Sequence, residues 1–229
     1  MKPTMKTTME QTHDRDIQQD VEKALGWAPE VDSAKIGVSV RGGVVTLSGQ
    51  VGSYWQKVMA GKTALRTRGV TAIANEILVH HITDPRTDSD IALAAHNVLK
   101  WNSQIPKDSV KVDVEDHVVT LSGEVDWNHQ RETARRLVEH LVGVQDVRNR
   151  ITLKPRPQAS TSETEALIRR ALIRNASIDA GRIHAAADGS RVVLTGIASS
   201  YAEKRQAELA AWSSPHVDEV DNQIIVELR

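Results

Sequence analysis

The residues of this chain best suited to binding are aromatic and basic side chains that recur together three times. In each case an aromatic residue is followed within a few positions by a lysine or an arginine. The ring supplies apolar contact area and the cation attracts an anion, so the combination suits a phosphate or an anionic headgroup at an interface. The candidate ligand-binding residues are Tyr54, Trp55 and Lys57, then Trp127 and Arg131, then Tyr201 and Lys204.

Each combination lies beside small polar residues that can begin a helix. The first turn of a helix leaves backbone N–H groups without helical partners and carries a partial positive charge, which favours an anion. The pattern also fits a hydrophobic staple, in which the ring packs locally and the cation faces water. Both interpretations stay open. The capping candidates are Ser53, then Asp126 or Asn128, then Ser199 or Ser200.

The combinations recur because one segment of about 70 residues is repeated three times. Residues 45–49, Val-Thr-Leu-Ser-Gly, return unchanged at 119–123 and as Val-Val-Leu-Thr-Gly at 192–196, at offsets of 74 and 73. The offsets predict a first domain at 13–82, a second at 86–154 and a third at 160–228. Residues 1–12 have little apolar content and are predicted to be a disordered tail.

Each copy is predicted to fold as helix, strand, strand, helix and strand. Apolar residues recur at helical spacing before a strictly alternating strand such as Val110-Val112-Val114, and a turn then leads into the repeated Val-Thr-Leu-Ser-Gly strand. An alanine-rich helix and a last alternating strand follow. The fold class is therefore α+β, with two helices packed on one face of a three-stranded mixed sheet in each copy.

Two polar or backbone-specialist positions are shared by all three copies. The glycine that follows the second strand is predicted to adopt positive φ or to allow the next helix to approach closely. The asparagine of the last strand is predicted to bond nearby backbone. Neither position indicates catalysis, and no recurring set of histidine, carboxylate or lysine indicates an enzyme. The two sets are Gly49, Gly123 and Gly196, and Asn75, Asn149 and Asn222.

Tryptophans are prominent because phenylalanine is absent. Trp27 and Trp101 lie at equivalent positions just after the first helix, where we expect them to plug the edges of copies or contacts between copies. A shared exposed docking surface is the alternative. Trp212 is predicted to be buried on the second helix of the third copy.

Composition excludes several classes of function. The chain has no cysteine, which excludes a thiolate site, and 29 basic residues balance 30 acidic ones, so no copy is a strongly basic module and we predict no nucleic-acid partner, although local basic patches remain possible. The adjacent pair His80-His81 lies on opposite faces of a strand, so we predict no metal site and no cofactor. The first residues contain no apolar stretch of the signal-peptide kind, which predicts a soluble cytoplasmic protein.

This pattern resembles the BON domain, named for bacterial osmotically inducible and nodulation proteins. The resemblance covers residues 14–80, 88–154 and 162–227, and the third copy departs most, with Ala185, Ala187 and His216 at positions where the family pattern differs. It implies a non-enzymatic module, associated in relatives with osmotic and envelope stress, phospholipid binding, chaperone-like activity or ion sensing. The residues that carry it are Ile36, Val38 and Val40, the run from Gly43 to Val51, the alanine-rich helix, Gly69-Val70, Asn75 and Ile77.

Three functional hypotheses follow. The first is weak multivalent association with anionic phospholipid or with protein surfaces through the aromatic and basic residues, because tandem copies raise the effective concentration of each contact. The second is a cytoplasmic sensor of potassium or an osmolyte, with the alkali ion held by loop carbonyls. The third is a structural scaffold in which Trp27 and Trp101 dock copies or dimerise the chain. The oligomeric state and the ligand are not predicted.

Overall fold

The computed structural model describes residues 5–80, 86–154, 160–175 and 178–227. The chain divides into two compact units. One contains Met1–Ser48, Ala60–Glu76 and Arg156–Arg229, and the other contains Gly49–Met59 and Ile77–Pro155. The second unit therefore includes the whole second copy together with two pieces of the first copy: residues 49–59, which run from the end of its second strand into its second helix, and residues 77–80, which contain its last short strand.

The described residues of each copy follow the predicted order of elements. The first copy contains α1 (Met5–Gly26), a short 3-10 helix (Ser33–Lys35), β1 (Ile36–Arg41), β2 (Val44–Val51), α2 (Tyr54–Arg66), β3 (Ala72–Asn75) and β4 (Leu78–Val79). The second contains α3 (Asp88–Trp101), β5 (Val110–Glu115), β6 (Val118–Val125), α4 (Asn128–Glu139) and β7 (Asp146–Leu153). The third contains α5 (Thr161–Arg174), β8 (Ile183–Asp188), β9 (Arg191–Ala198), α6 (Tyr201–Trp212), β10 (Glu219–Asn222) and β11 (Ile225–Val226).

Helix α1 begins earlier than the sequence predicts. It starts at Met5, so residues 5–12 are helical, which differs from the predicted disordered tail; residues 1–4 lie outside the described part of the chain. The segment contains no proline, and its methionine, lysine, glutamate and glutamine residues favour a helix, whereas its three threonines do not. The helix therefore continues towards the N-terminus beyond its amphipathic part.

The predicted mixed sheet is present in every copy, with the repeated Val-Thr-Leu-Ser-Gly strand in the middle. In the second copy β6 pairs antiparallel with β5 and parallel with β7, so that Leu121 lies between Val112 and Asn149. In the first and third copies the last strand is divided, into β3 and β4 and into β10 and β11, and both parts pair with the central strand. The sheet is thus as predicted except for this interruption.

The core lies between the sheet and the two helices. The central leucine of each copy is fully buried, and Ile91, Ala95 and Leu99 of α3 are at most 5% exposed. Alternate residues of β5, such as Lys111 and Asp113, are exposed. One face of the sheet is therefore covered by helices and the other carries polar side chains, as the alternation in the sequence predicts. The central leucines are Leu47, Leu121 and Leu194.

The shared glycine has the left-handed backbone that the sequence predicts. Its φ is 116° at Gly49 and 121° at both Gly123 and Gly196. At Gly123 an added Cβ would overlap the carbonyl oxygen of Ser109 and lie 3.1 Å from its carbonyl carbon. The close neighbour is the backbone just before and at the start of the first strand of the copy, not the following helix. Only glycine therefore fits this close approach of two backbone segments.

A carboxylate from the first helix holds the hairpin turn in two copies. The carboxylate of Asp14 accepts hydrogen bonds from the backbone N–H groups of Gly42 and Gly43, at 2.8 and 3.0 Å. The same bonds recur 74 residues later at Asp88. This link ties the first helix to the hairpin across 28 residues of chain, and the comparison of copies at the sequence level did not identify it.

Candidate functional site

The second helix of each copy begins beside the candidate binding residues. Ser53 and Ser200 act as predicted caps: their hydroxyls accept from the backbone N–H groups of Gln56, at 3.3 Å, and of Glu203, at 3.1 Å. In the second copy the cap position is Trp127, whose side chain supplies no oxygen. The predicted cap at Asp126 or Asn128 is therefore wrong, because α4 starts at Asn128, one residue after the position where a capping side chain would act.

A residue that the sequence analysis missed completes each helix start. Three residues after the cap, the side chain of a glutamine or glutamate folds back, and its oxygen accepts hydrogen bonds from backbone N–H groups that precede the helix. Gln56 Oε1 accepts from Gly52 at 3.0 Å, and Gln130 Oε1 accepts from Asp126 and Trp127 at 2.9 and 3.0 Å. The repeat offsets connect Gln56, Gln130 and Glu203, so this signal was visible in the sequence. These oxygens accept hydrogen bonds from some of the backbone N–H groups that an anion at the helix start would otherwise use.

Glu203 is the most strongly bonded of the three. It is 5% exposed, and its carboxylate accepts from the backbone N–H of Asp179 at 2.7 Å and from the N–H and hydroxyl of Ser199 at 2.7 and 2.6 Å. Burial raises the pKa of this carboxyl, but the hydrogen bonds from Ser199 and Asp179 and the charge of Arg182 outweigh it and hold the pKa below the ordinary 4.5. Charged Glu203 thus fastens the start of α6 to the loop before β8.

This arrangement predicts an acid-dependent loss of stability in the third copy. A carboxyl whose pKa is lowered by folding stabilises the fold above its unfolded pKa of 4.5, and the contribution is lost as the pH falls through the folded value. We expect Glu203→Gln to reduce the free energy of unfolding by about 1–3 kcal/mol at neutral pH. The difference in free energy of unfolding between the variant and the parent protein, measured by urea unfolding, should become smaller between about pH 5 and pH 3. A difference that does not change with pH would contradict this role.

The first of the candidate aromatic residues is buried. Tyr54 is 8% exposed and belongs to a core cluster formed with residues of the second copy, among them Val119 and Leu121. Its hydroxyl hydrogen-bonds with Asp146 and with the backbone of Val147. Burial, followed by the charge and hydrogen bond of Asp146, raises the pKa of Tyr54 to about 12. Tyr54 is therefore part of the packing of the second unit.

Trp55 lies in the same contact. Its ring stacks on His140, with centroids 3.9 Å apart and an interplanar angle of 29°. His140 caps the end of α4, and its Nδ1 is 2.7 Å from the carbonyl oxygen of Arg136, so an Nδ1–H donates there. Lys57, the cation predicted beside these rings, is half-buried. In the first copy the candidate residues are thus largely covered.

The second and third copies present these positions differently. Trp127 is 40% exposed, and its ring centroid lies 6.3 Å from that of His129. Arg131 and Tyr201 are half-buried. Lys204 extends along the protein, where its Nζ donates to the carbonyl oxygen of Ile224 at 2.7 Å. The seven candidate residues therefore do not form one common geometry, and Trp127 is the most accessible aromatic ring among them.

The shared asparagine connects the last strand to the same helix turn. Asn149 Nδ2 donates to the carbonyl oxygen of Arg131 at 3.1 Å, and its Oδ1 accepts from the backbone N–H of Ile151 at 3.1 Å. Asn222 makes the equivalent bonds to the Lys204 carbonyl oxygen, at 3.3 Å, and to the N–H of Ile224, at 3.3 Å. The predicted bonding to nearby backbone is confirmed, and the bond to the helix adds a long-range link.

The equivalent tryptophans after the first helix are exposed. Trp27 is 88% and Trp101 is 85% exposed. The prediction that they plug the edges of copies is therefore wrong: Trp27 directly follows α1 and Trp101 is the last residue of α3, and neither indole is covered by the copy to which it belongs. Trp212 is half-buried against the core of the third copy, in partial agreement with its predicted burial.

A small cavity opens beside the end of α3. Its volume is about 50 Å³, and its lining includes His96, Lys100 and Lys107 over an apolar floor with Leu99 and Ile105. Sites for small organic molecules generally enclose several hundred Å³. This cavity accommodates a few water molecules, so it offers no enclosed site for a substrate of ordinary size.

The described residues contain neither a cluster of metal ligands nor a helix that could span a membrane. Among the residues that the structure describes, no group of three or more histidine, cysteine or carboxylate side chains could hold a metal ion. His81, one member of the adjacent histidine pair, lies outside them. Within the same residues, no helix is both long enough and apolar enough to cross a membrane.

Comparison with known proteins identifies the repeated unit. The sequence model of the BON domain matches residues 13–80, 87–155 and 160–227. Osmotically-inducible protein Y of Escherichia coli (strain K12) is 32% identical over 149 residues, which is 62% of this chain and 73% of that protein.

Solved structures give more distant similarities. CdsD, a structural protein of the type III secretion system of Chlamydia trachomatis, is 14% identical with a TM-score of 0.27 over 93% of both chains. The PrgH periplasmic domain is 11% identical with a TM-score of 0.23, over 85% of this chain and 95% of that one.

Proposed function

We propose that this chain, which belongs to the BON domain family and contains three tandem copies of the domain, is a non-enzymatic stress-associated protein that binds anionic phospholipid surfaces weakly and at several points. The observation that carries the proposal is the accessible Trp127 ring at the start of α4, one helical turn from Arg131. The similarity to a protein named for osmotic induction supports the association with stress.

An indole and a guanidinium at one helix start suit the boundary of a bilayer. Tryptophan is enriched at membrane interfaces, where its apolar ring meets the acyl boundary and its N–H meets polar groups. A basic side chain close to an anionic leaflet contributes about 1 kcal/mol. Trp127 and Arg131 together therefore give a contact that is weak alone and depends on salt.

The charge balance of the chain explains why several contacts are needed. The formal net charge is −1, so the protein as a whole is not attracted to an anionic surface over a long distance. Binding must come from local groups, and tandem copies raise the effective concentration of the second contact once the first has formed.

The test is sedimentation of the full chain with vesicles of phosphatidylcholine alone and of phosphatidylcholine with phosphatidylglycerol, at low and moderate salt. We expect binding to the anionic vesicles only, and we expect Trp127→Ala with Arg131→Ala to weaken it about three- to tenfold. Far-UV circular dichroism establishes that the variant is folded. A matched control, Trp27→Ala with Lys23→Ala, removes one exposed indole and one exposed cation from α1.

The two variants separate the site from a general loss of apolar area and charge. Equal losses in both would show that Trp127 and Arg131 are not special, and unchanged binding in the first variant would remove them from the site. If no vesicle binds the parent protein and its mass rises with concentration, the exposed tryptophans serve self-association and the scaffold hypothesis replaces the lipid proposal.

A further inference from the structure

The aromatic residues at the start of α2 occupy a surface of the second copy. Tyr54 and Trp55 belong to the first copy in sequence, yet both pack within the second compact unit. Trp55 stacks on His140 at the end of α4, and Tyr54 bonds with Asp146 at the start of β7. Two adjacent side chains of one copy are thus held by two side chains on neighbouring elements of the next.

The contact is particular to this junction. At the position of His140, the first and third copies have Arg66 and Ser213, and at that of Asp146 they have Ala72 and Glu219. Neither of the other copies has a tryptophan, tyrosine or phenylalanine at the position equivalent to Trp55. A packing requirement of the domain itself would recur with the repeat. Because these residues do not recur, the contact is specific to the connection between the first two copies.

We propose that this contact is autoinhibitory: the second copy covers Tyr54 and Trp55, and these rings reach an anionic lipid surface only when the contact opens. The claim that the rings bind lipid rests on the proposed function. The claim that the contact opens does not, and it can be tested without lipid. Tyr54, which is 8% exposed, and Trp55, which is half-buried and stacked on His140, lie at the helix start equivalent to the one that leaves Trp127 accessible in the second copy. The protein therefore holds one binding edge in reserve and leaves another accessible.

Tyr54 is held by its burial in the core cluster, so the open state is the minor one in the parent protein. The stack of Trp55 on His140 and the hydrogen bond between Tyr54 and Asp146 each add a modest contribution that favours the closed state. Removal of both should shift the equilibrium towards the open state, while the leucine and valine residues of the cluster keep their contacts with one another. The exposed side chain of His140 and the surface position of Asp146 make both residues replaceable.

Accessibility can be measured with a single thiol, since the chain has no cysteine. Val58 is half-buried against the core cluster of the second unit, one helical turn after Tyr54. In Val58→Cys, we expect slow reaction with a maleimide reagent. Adding His140→Ala and Asp146→Asn should raise the rate about tenfold. The matched control combines Val58→Cys with Ser213→Ala and Glu219→Gln, which change the equivalent positions of the third copy. In this variant the reaction rate of the thiol at position 58 should stay unchanged.

Vesicle sedimentation then tests the inhibition. With phosphatidylglycerol vesicles, His140→Ala with Asp146→Asn should bind several-fold more tightly than the parent, and adding Trp55→Ala should abolish the gain. An unchanged thiol rate would show that these residues do not hold the contact. A faster thiol with no gain in binding would show that the contact is not inhibitory; either result overturns the proposal. Failure of the proposed function differs, because the parent protein itself would then not bind vesicles.

Discussion

Replacing Gly123 with alanine is expected to destabilise the second copy by more than about 3 kcal/mol, which is a large fraction of the stability of a small domain. The φ of 121° disfavours any L side chain, and the added methyl would meet the backbone of Ser109, its carbonyl carbon at 3.1 Å and the Cα of Val110 at 3.3 Å. Backbone atoms cannot rotate away as a side chain can. The strands β5 and β6 would have to separate where Val110 pairs with Gly123.

Hydrogen exchange measured by mass spectrometry locates the damage, because unfolding of a chain with several domains is not a single two-state transition. Peptides from β5 and β6 should lose protection in Gly123→Ala, while those of the third copy keep it. Gly196→Ala should show the reverse pattern, since its methyl would meet the backbone of Arg182.

The control for this substitution is Gly26→Ala. Gly26 ends α1, and an added Cβ would meet nothing within 4 Å. Its φ lies outside the left-handed region, so alanine should leave stability unchanged or raise it by less than about 1 kcal/mol. If Gly123→Ala were as well tolerated as Gly26→Ala, the close approach of the Ser109 and Val110 backbone to Gly123 would be refuted.

The architecture of each copy could be predicted because its signals are local and are repeated three times. Ile91, Ala95 and Leu99 lie at helical spacing, and all three are buried on one face of α3. The glycine after the central strand emerged from comparing copies, and its backbone requirement follows from residue type alone. The order of strands follows from a hairpin and a returning helix. Such features do not depend on which copy touches which.

The candidate site was harder to predict because its geometry depends on partners that are distant in sequence. Nothing near Tyr54 shows that Asp146 will bond with it, and nothing near Trp55 points to His140. The side chain of Gln130 competes for the backbone donors at the helix start, a detail that periodicity does not reveal. Residue types predicted where an interface could form, whereas tertiary packing decided that one of its three versions is covered.

The exposure of Trp27 and Trp101 illustrates the same limit. Large apolar residues are buried on average, so the expectation that they plug an edge was reasonable for the residue type. Both tryptophans lie at the end of a helix, beyond its buried face, and are therefore exposed. An error of one residue in the predicted end of the helix changes the prediction from buried to exposed. Exposed tryptophans at matching positions are in turn a reason to look for a surface that they contact.

Removing the carboxylate of Asp88 is expected to reduce the free energy of unfolding of the second copy by about 2–3 kcal/mol. Its two oxygens accept from the N–H groups of Asp116 and His117, at 3.0 and 2.9 Å. Both turn residues have positive φ, 49° and 62°, in a turn that favours glycine or asparagine. The carboxylate therefore stabilises a turn whose own residues disfavour it, and Asp88→Ala should release peptide 115–118 to hydrogen exchange.

Comparison with the first copy tests this explanation. Asp14 makes the same two bonds, but its turn residues are Gly42 and Gly43, which adopt positive φ without strain. Asp14 also lies inside α1, where alanine favours the helix, whereas Asp88 is in the first turn of α3, where its charge is favourable. Asp14→Ala should therefore cost clearly less than Asp88→Ala. His117→Gly should recover part of the loss in Asp88→Ala, because it relieves the backbone that the carboxylate restrains; no recovery would show that turn strain is not what the carboxylate offsets.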